Sequence, residues 1–475
     1  MTSHDGLPVA VIGGGPVGLA TAAHLITRRI PVRLYEEGET VAASVRDWGH
    51  VRLFSPWHLN TDTAARAILR RHGWQEPRGD SLPTGHDLAD AYLEPLAQTP
   101  DLAAVIETKA RVRAVSRRGI DKVVSRNRAD HPFALVIEGQ DGGSRIDLAR
   151  AVIDASGTWR KPNPLGAAGM AVENEGQFAE RIAYGIPDVL GTDRATYAGR
   201  RVLVIGGGHS AANALLDLAR LAETDGALRM TWAVRGQNLT RVFGGGDADQ
   251  LPARGKLGSD LKRLVDGGRL QLVTGFSAER VDGDQQGVTI TGRTPVGLLR
   301  LGPVDRVIVA TGQRPDLDLT RELRLDLDPW LECARELGPM IDPNLHSCGS
   351  VPPHGYRQLT HPEPGYFAVG VKSYGRAPTF LMATGYEQAR SVVAHLAGDR
   401  QAADDVRLVL PETGVCSTNF DTADSKACCT PSATDEDACC VEDASAKAAG
   451  EAGCGCGSKQ VAQDADACCG SVQAA

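Results

Sequence analysis

Two glycine-rich turns, each set between a strand-like run and a helix-forming run, constrain this chain more than any other feature. The first is Gly13-Gly14-Gly15-Pro16-Val17-Gly18. It follows the apolar run Val9–Ile12 and precedes an apolar-periodic stretch over residues 19–27. Residues 31–35 alternate as a second strand, and Glu36 stands 23 positions after Gly13. A G-x-G-x-x-G turn in this strand–turn–helix context binds a dinucleotide. Its glycines permit a tight turn and close approach of backbone, and the helix N-terminus offers free N–H groups to a pyrophosphate. Glu36 is placed to accept from the ribose hydroxyls.

The second turn, Gly206-Gly207-Gly208-His209-Ser210-Ala211, follows Arg201–Ile205 and precedes a helix predicted over 212–222. Ala211 fills the third glycine position, as the looser form of the motif allows. The next strand, 231–234, ends in Arg235 rather than an acid. A guanidinium there suits a 2′-phosphate, so NADPH is expected over NADH. His209 reads as a capping or backbone-contact residue. Two dinucleotide sites imply two cofactors, FAD at the first and NADPH at the second, since hydride passes from nicotinamide to flavin.

Further segments fit this plan. Runs 151–157 and 307–312 both end as strand, small residue and glycine, the latter in Thr311 and Gly312. Lys161-Pro-Asn-Pro164 and Arg314-Pro315 read as crossover hinges. Residues 123–146 suggest a small antiparallel meander. A strand ending at Gly370 and a helix over 378–397, with Pro378 near its first position, would aim a helix N-terminus at a flavin. Gly370, Lys372, Arg376 and Thr379 are candidates for the flavin surroundings. The expected class is α/β with two Rossmann-like dinucleotide-binding domains. The FAD domain is discontinuous (1–165 and 306–410), with the NADPH domain (166–305) inserted and a disordered Cys-rich tail (411–475).

Composition bears on partners. Glycine supplies 54 of 475 residues, above the ~7% of ordinary proteins. The net charge of -8 sits wholly in residues 411–475, which hold 11 acids, 3 Lys and no Arg. A charge-balanced body excludes nucleic acid as an expected partner. No membrane-spanning run and no secretory leader are read, so a cytoplasmic location is expected. The oligomeric state is open, with a homodimer as one alternative.

Nine of the 11 cysteines fall in the tail. Cys428-Cys429, Cys439-Cys440, Cys454-Gly-Cys456 and Cys468-Cys469 are candidate ligands, because neighbouring thiolates capture soft ions such as As(III). Cys333 and Cys348 read as structural thiols.

Gly13–Gly18 with Glu36, Gly206–Ala211 and Ala310-Thr-Gly312 together resemble the flavin-containing monooxygenase superfamily and the thioredoxin-reductase-like oxidoreductases over residues 8–400. With Gly185-Ile-Pro-Asp188, Ser373-Tyr-Gly-Arg376 and the Cys-rich end, the chain looks most like flavin-dependent monooxygenases of arsenic-resistance operons. That resemblance implies FAD, NADPH, O2 and a small soft or metalloid-linked substrate. Two departures accompany it. The Phe-x-Gly-x-x-x-His fingerprint is not matched after Phe178, and Val41-Ala-Ala-Ser44 replaces a Gly-Gly-x-Trp loop. No catalytic side chain is assigned. Two other readings are a metalloid or disulfide reductase using the tail thiols, and a metalloid-binding protein on a flavoprotein scaffold.

Overall fold

The computed structural model describes residues 6–346 and 351–411. The chain opens with β1 (Val9–Ile12), α1 (Pro16–Thr27), β2 (Val32–Tyr35) and β3 (Ile106–Glu107). An antiparallel meander follows, β4 (Ala110–Arg117), β5 (Phe133–Gly139) and β6 (Ser144–Ala149), and then β7 (Ala151–Asp154). The second half-fold holds β8 (Ile182–Tyr184), β9 (Arg201–Ile205), α2 (His209–Thr224), β10 (Arg229–Ala233), α3 (Pro252–Asp266) and β11 (Gln271–Val273). A second meander, β12 (Ser277–Asp284), β13 (Gly287–Thr294) and β14 (Gly297–Val304), precedes β15 (Arg306–Val309). The chain then returns to β16 (Tyr366–Ala368) and α4 (Met382–Leu396).

Two five-stranded parallel sheets result, in the orders β16-β7-β1-β2-β3 and β11-β10-β9-β15-β8. Parallel strands need crossovers, and helices on the sheet faces supply them. That is why β1, β7 and β9 are near-continuous apolar runs buried on both faces. Helix α1 is built mainly from Val, Gly, Ala and Leu, and most of its residues are buried. Small side chains let it approach α4 closely: a Cβ on Gly385 of α4 would lie 2.5 Å from Val17 Cγ2.

The structure moves three expected boundaries. Strand β15 pairs with β9 and β8, so residues 306–309 belong to the second sheet and the crossover falls after them. Val307 and Ile308 are fully buried, which a central strand requires and a hinge does not. The first meander begins at Ala110, whose alternating run through Arg117 pairs with β5, while residues 118–132 form a loop. Helix α4 starts at Met382 rather than at Pro378. Thr379 is drawn inside the protein, Phe380 packs edge-on against Tyr374 with centroids 5.3 Å apart, and extended Leu381 caps the helix.

Among the described residues no helix is long and apolar enough to cross a membrane. The candidate ligands Cys428, Cys429, Cys439, Cys440, Cys454, Cys456, Cys468 and Cys469 lie outside the described residues, as does the reading of the tail as disordered.

Candidate functional site

The two turns share one pattern of backbone closure and an open N-cap glycine. In the first, a Cβ on Gly13 (φ +99°) would stand 2.7 Å from Ala155 O, and one on Gly18 would stand 1.9 Å from Gly13 O. Protein backbone therefore forbids side chains at both positions. Gly15 differs: a Cβ there would meet no atom within 4 Å. It is the N-cap of α1, has no side-chain cap, and is followed by Pro16 at the first helical position. The second turn repeats this. A Cβ on Gly206 (φ +139°) would lie 2.1 Å from Ala310 O, whereas one on Gly208, the uncapped N-cap of α2, would meet nothing. Buried Ala211 packs where the third glycine of the motif stands. An uncapped helix start with bare backbone before it fits a phosphate, which supplies the acceptor that a capping side chain would otherwise provide.

Glu36 does more than the sequence suggested. Its Oε2 accepts from Gly14 N–H at 2.6 Å and its Oε1 from Gly38 N–H at 2.8 Å. Burial pushes its pKa up, and the two backbone donors oppose that shift. The carboxylate thus fixes the glycine turn and keeps further lone pairs for hydroxyl donors.

The Gly370 turn sits where α1 and α4 converge. Gly370 has φ +72°, and a Cβ there would lie 3.2 Å from Val17 Cγ2. Its N–H donates to Gln388 Oε1 at 2.9 Å, and the Ser373 hydroxyl donates to the same oxygen at 3.1 Å. Gln388 Nε2 donates to His354 Nε2 at 3.1 Å, while His354 Nδ1 lies 3.0 Å from Pro352 O. Those partners assign the proton to Nδ1, and burial depresses the His354 pKa. Lys372 is buried and pairs with Asp154 Oδ2 at 2.6 Å, also donating to Ser156 Oγ at 2.9 Å. The hydroxyls of Thr379 and Thr384 are buried and have no hydrogen-bond partner. A buried hydroxyl without a partner is costly in isolation. Both stand near the start of α4. Sequence reasoning named Gly370, Lys372 and Thr379, but it missed Thr384, Gln388 and His354. No local motif marks them: Thr384 has no hydrogen-bond partner, and Gln388 meets Ser373 and His354 across 15 and 34 residues of chain.

Other expected residues have different roles. Thr311 Oγ1 donates to Asn163 O at 3.1 Å, and Gly312 O accepts from Asn163 N–H at 2.9 Å. Both staple the crossover together. The His209 ring packs on Phe54 with centroids 5.1 Å apart, joining the second turn to the first half-fold. Exposed Arg235 donates to Ala167 O at 2.9 Å and pairs with no carboxylate among the described residues. Trp232 Nε1 donates to Gly206 O at 2.8 Å, a brace the sequence did not reveal. Cys333 is buried, and burial with Asp328 nearby pushes its thiol up to about 12. Cys348 lies outside the described residues.

Residues 7–351 match the family model described as pyridine nucleotide-disulphide oxidoreductase. The chain belongs to that family. As a member it is an NAD(P)H- and FAD-dependent oxidoreductase. Flavin-containing monooxygenase ustF1 of Aspergillus flavus is 26% identical over 222 residues, 45% of this chain. The match spans about half of that relative, 51% of its length. Among solved structures, bacillithiol disulfide reductase Bdr from Bacillus cereus aligns at TM-score 0.60 and 20% identity, covering 82% of this chain and 99% of that one. DfoA, a cadaverine monooxygenase from Erwinia amylovora, aligns at TM-score 0.57 and 14% identity, covering 88% and 99%. At these identities the likeness is one of fold, shared by reductases and oxygenases alike.

Proposed function

We propose that this oxidoreductase is an NADPH-driven, FAD-dependent monooxygenase acting on a small soft or metalloid-linked substrate in arsenic detoxification. One observation carries the oxygenase reading. Near the start of α4 the hydroxyls of Thr379 and Thr384 are buried without a partner, whereas the single described thiol, Cys333, is buried and held protonated. A protonated thiol is a poor nucleophile. The similarity to a flavin-containing monooxygenase supports the same reading. The arsenic assignment draws on the resemblance carried by Gly185–Asp188, Ser373–Arg376 and the cysteine-rich tail.

In this reading Gly13, Gly15, Pro16 and Gly18 place the N-terminus of α1 against the FAD pyrophosphate, and Glu36 accepts from its ribose. Gly370, Lys372 and Thr379 border the flavin ring. Gly206, Gly208, His209, Ser210 and Ala211 place α2 against the NADPH pyrophosphate, and Arg235 takes the 2′-phosphate. Thr311 and Gly312 hold the crossover that sets the two sites against each other. Bound FAD supplies hydride acceptance from NADPH and activation of O2. The paired tail cysteines from Cys428 to Cys469 would bind As(III).

The test follows NADPH and O2 consumption by the purified full chain with and without arsenite or a trivalent organoarsenical. Stimulation of both, retained after deletion of residues 411–475, is expected. Loss of turnover on that deletion, with a disulfide or metalloid reduced in place of O2, would establish a reductase dependent on the tail thiols.

A further inference from the structure

Two guanidinium groups converge on the loop at residues 166–170. The point a Cβ would occupy on Gly169 lies 3.0 Å from Arg314 Nη2 and 3.3 Å from Arg376 Nη2. Gly169 has φ +76°, a conformation that favours glycine, so no side chain of its own stands between them.

Both arginines rise from fixed backbone. Arg314 Nε donates to Asn163 Oδ1 at 3.0 Å, and its N–H donates to Lys161 O at 3.0 Å. The Arg376 N–H donates to Leu331 O at 2.7 Å, and a Cβ on the preceding Gly375 would lie 1.9 Å from that same oxygen. Neither guanidinium has a carboxylate partner among the described residues. The nearest acids in sequence to Arg314 are committed elsewhere, since Asp316 and Asp318 pair with Lys161 at 3.4 and 3.2 Å. Like charges held this close repel until an anion joins them. Planar guanidinium forks match the oxygens of carboxylate and phosphate groups.

Arg235 touches the same loop at Ala167 O and serves the cofactor in the reading above. Arg376, by contrast, belongs to the 370–376 segment that carries Gly370 and Lys372. We infer that Arg314 and Arg376 form an oxyanion-binding site distinct from the NADPH phosphate sites, and that the substrate carries a carboxylate- or phosphate-like group which docks there. The role as substrate anchor rests on the proposed function, but the anion site itself does not.

The test titrates inorganic phosphate by calorimetry into the full-length, FAD-loaded chain saturated with NADP+, so that the cofactor phosphate sites are filled. The wild type is expected to bind one phosphate. Arg376→Ala, an exposed position, should weaken binding at least tenfold with an unchanged melting temperature. Arg314→Lys should weaken it while keeping the positive charge. Undiminished binding in both variants would overturn the proposal. So would loss of phosphate binding in the NADP+-saturated wild type, which would assign the pair to the cofactor. Failure of the proposed function reads out separately, as bound flavin that NADPH does not bleach.

Discussion

Lys372 Nζ lies 2.6 Å from Asp154 Oδ2, with both side chains buried. The pair ties the Gly370 turn to the end of β7, whose next residue, Ala155, closes over Gly13. Removing one partner of a buried ion pair leaves an uncompensated charge and costs ~3–5 kcal/mol. Lys372→Met should therefore lower the melting temperature sharply and release FAD. Lys372→Met with Asp154→Asn should recover much of the loss, as thermal melts and retained flavin absorbance will show.

Two glycines in one motif should fail differently. Gly18→Ala places a Cβ 1.9 Å from Gly13 O, and overpacking of this kind costs ~1–3 kcal/mol. It should destabilise the flavin-free protein. Gly15→Ala meets no protein atom, so the flavin-free melting temperature should hold while FAD affinity falls by about tenfold or more. Calorimetric titration of the flavin-free protein with FAD separates the two.

Arg235 should decide between nicotinamide cofactors. A hydrogen bond to a charged group contributes ~1.5–3 kcal/mol. Arg235→Ala should therefore raise the KM for NADPH about 10- to 100-fold and leave that for NADH nearly unchanged. Steady-state kinetics with both cofactors measures the ratio.

Burial depresses the pKa of His354, His361 and His395. A histidine titrates near ~6.5 when unfolded. As pH falls through that value the unfolded chain takes up protons before the folded one, so stability declines with acid. The decline should begin near pH ~6.5 and continue until the folded values are passed. His354→Gln should flatten the slope, as urea melts between pH 7.5 and 5 will show.

Much of this molecule is legible in its sequence because the motifs are local. Gly13–Gly18 and Gly206–Ala211 each carry strand, turn and helix within one short window, and steric closure by Ala155 and Ala310 explains their glycines. Long-range partners are not legible in that way. Glu36 reaches back to Gly14, Gln388 joins Gly370 to His354, and Arg314 meets Arg376 over Gly169. Each depends on which segments the two sheets bring together. The sheet that β15 joins is not legible either, since an apolar run reads alike in either sheet.

Rapid mixing tests the central claim most directly. The purified full chain is reduced anaerobically with NADPH and mixed with O2 while flavin absorbance is followed. The account predicts bleaching by NADPH, then a return to the oxidised spectrum in two steps, the first product persisting for seconds. A single-step return, with faster reoxidation by a disulfide than by O2, would contradict it.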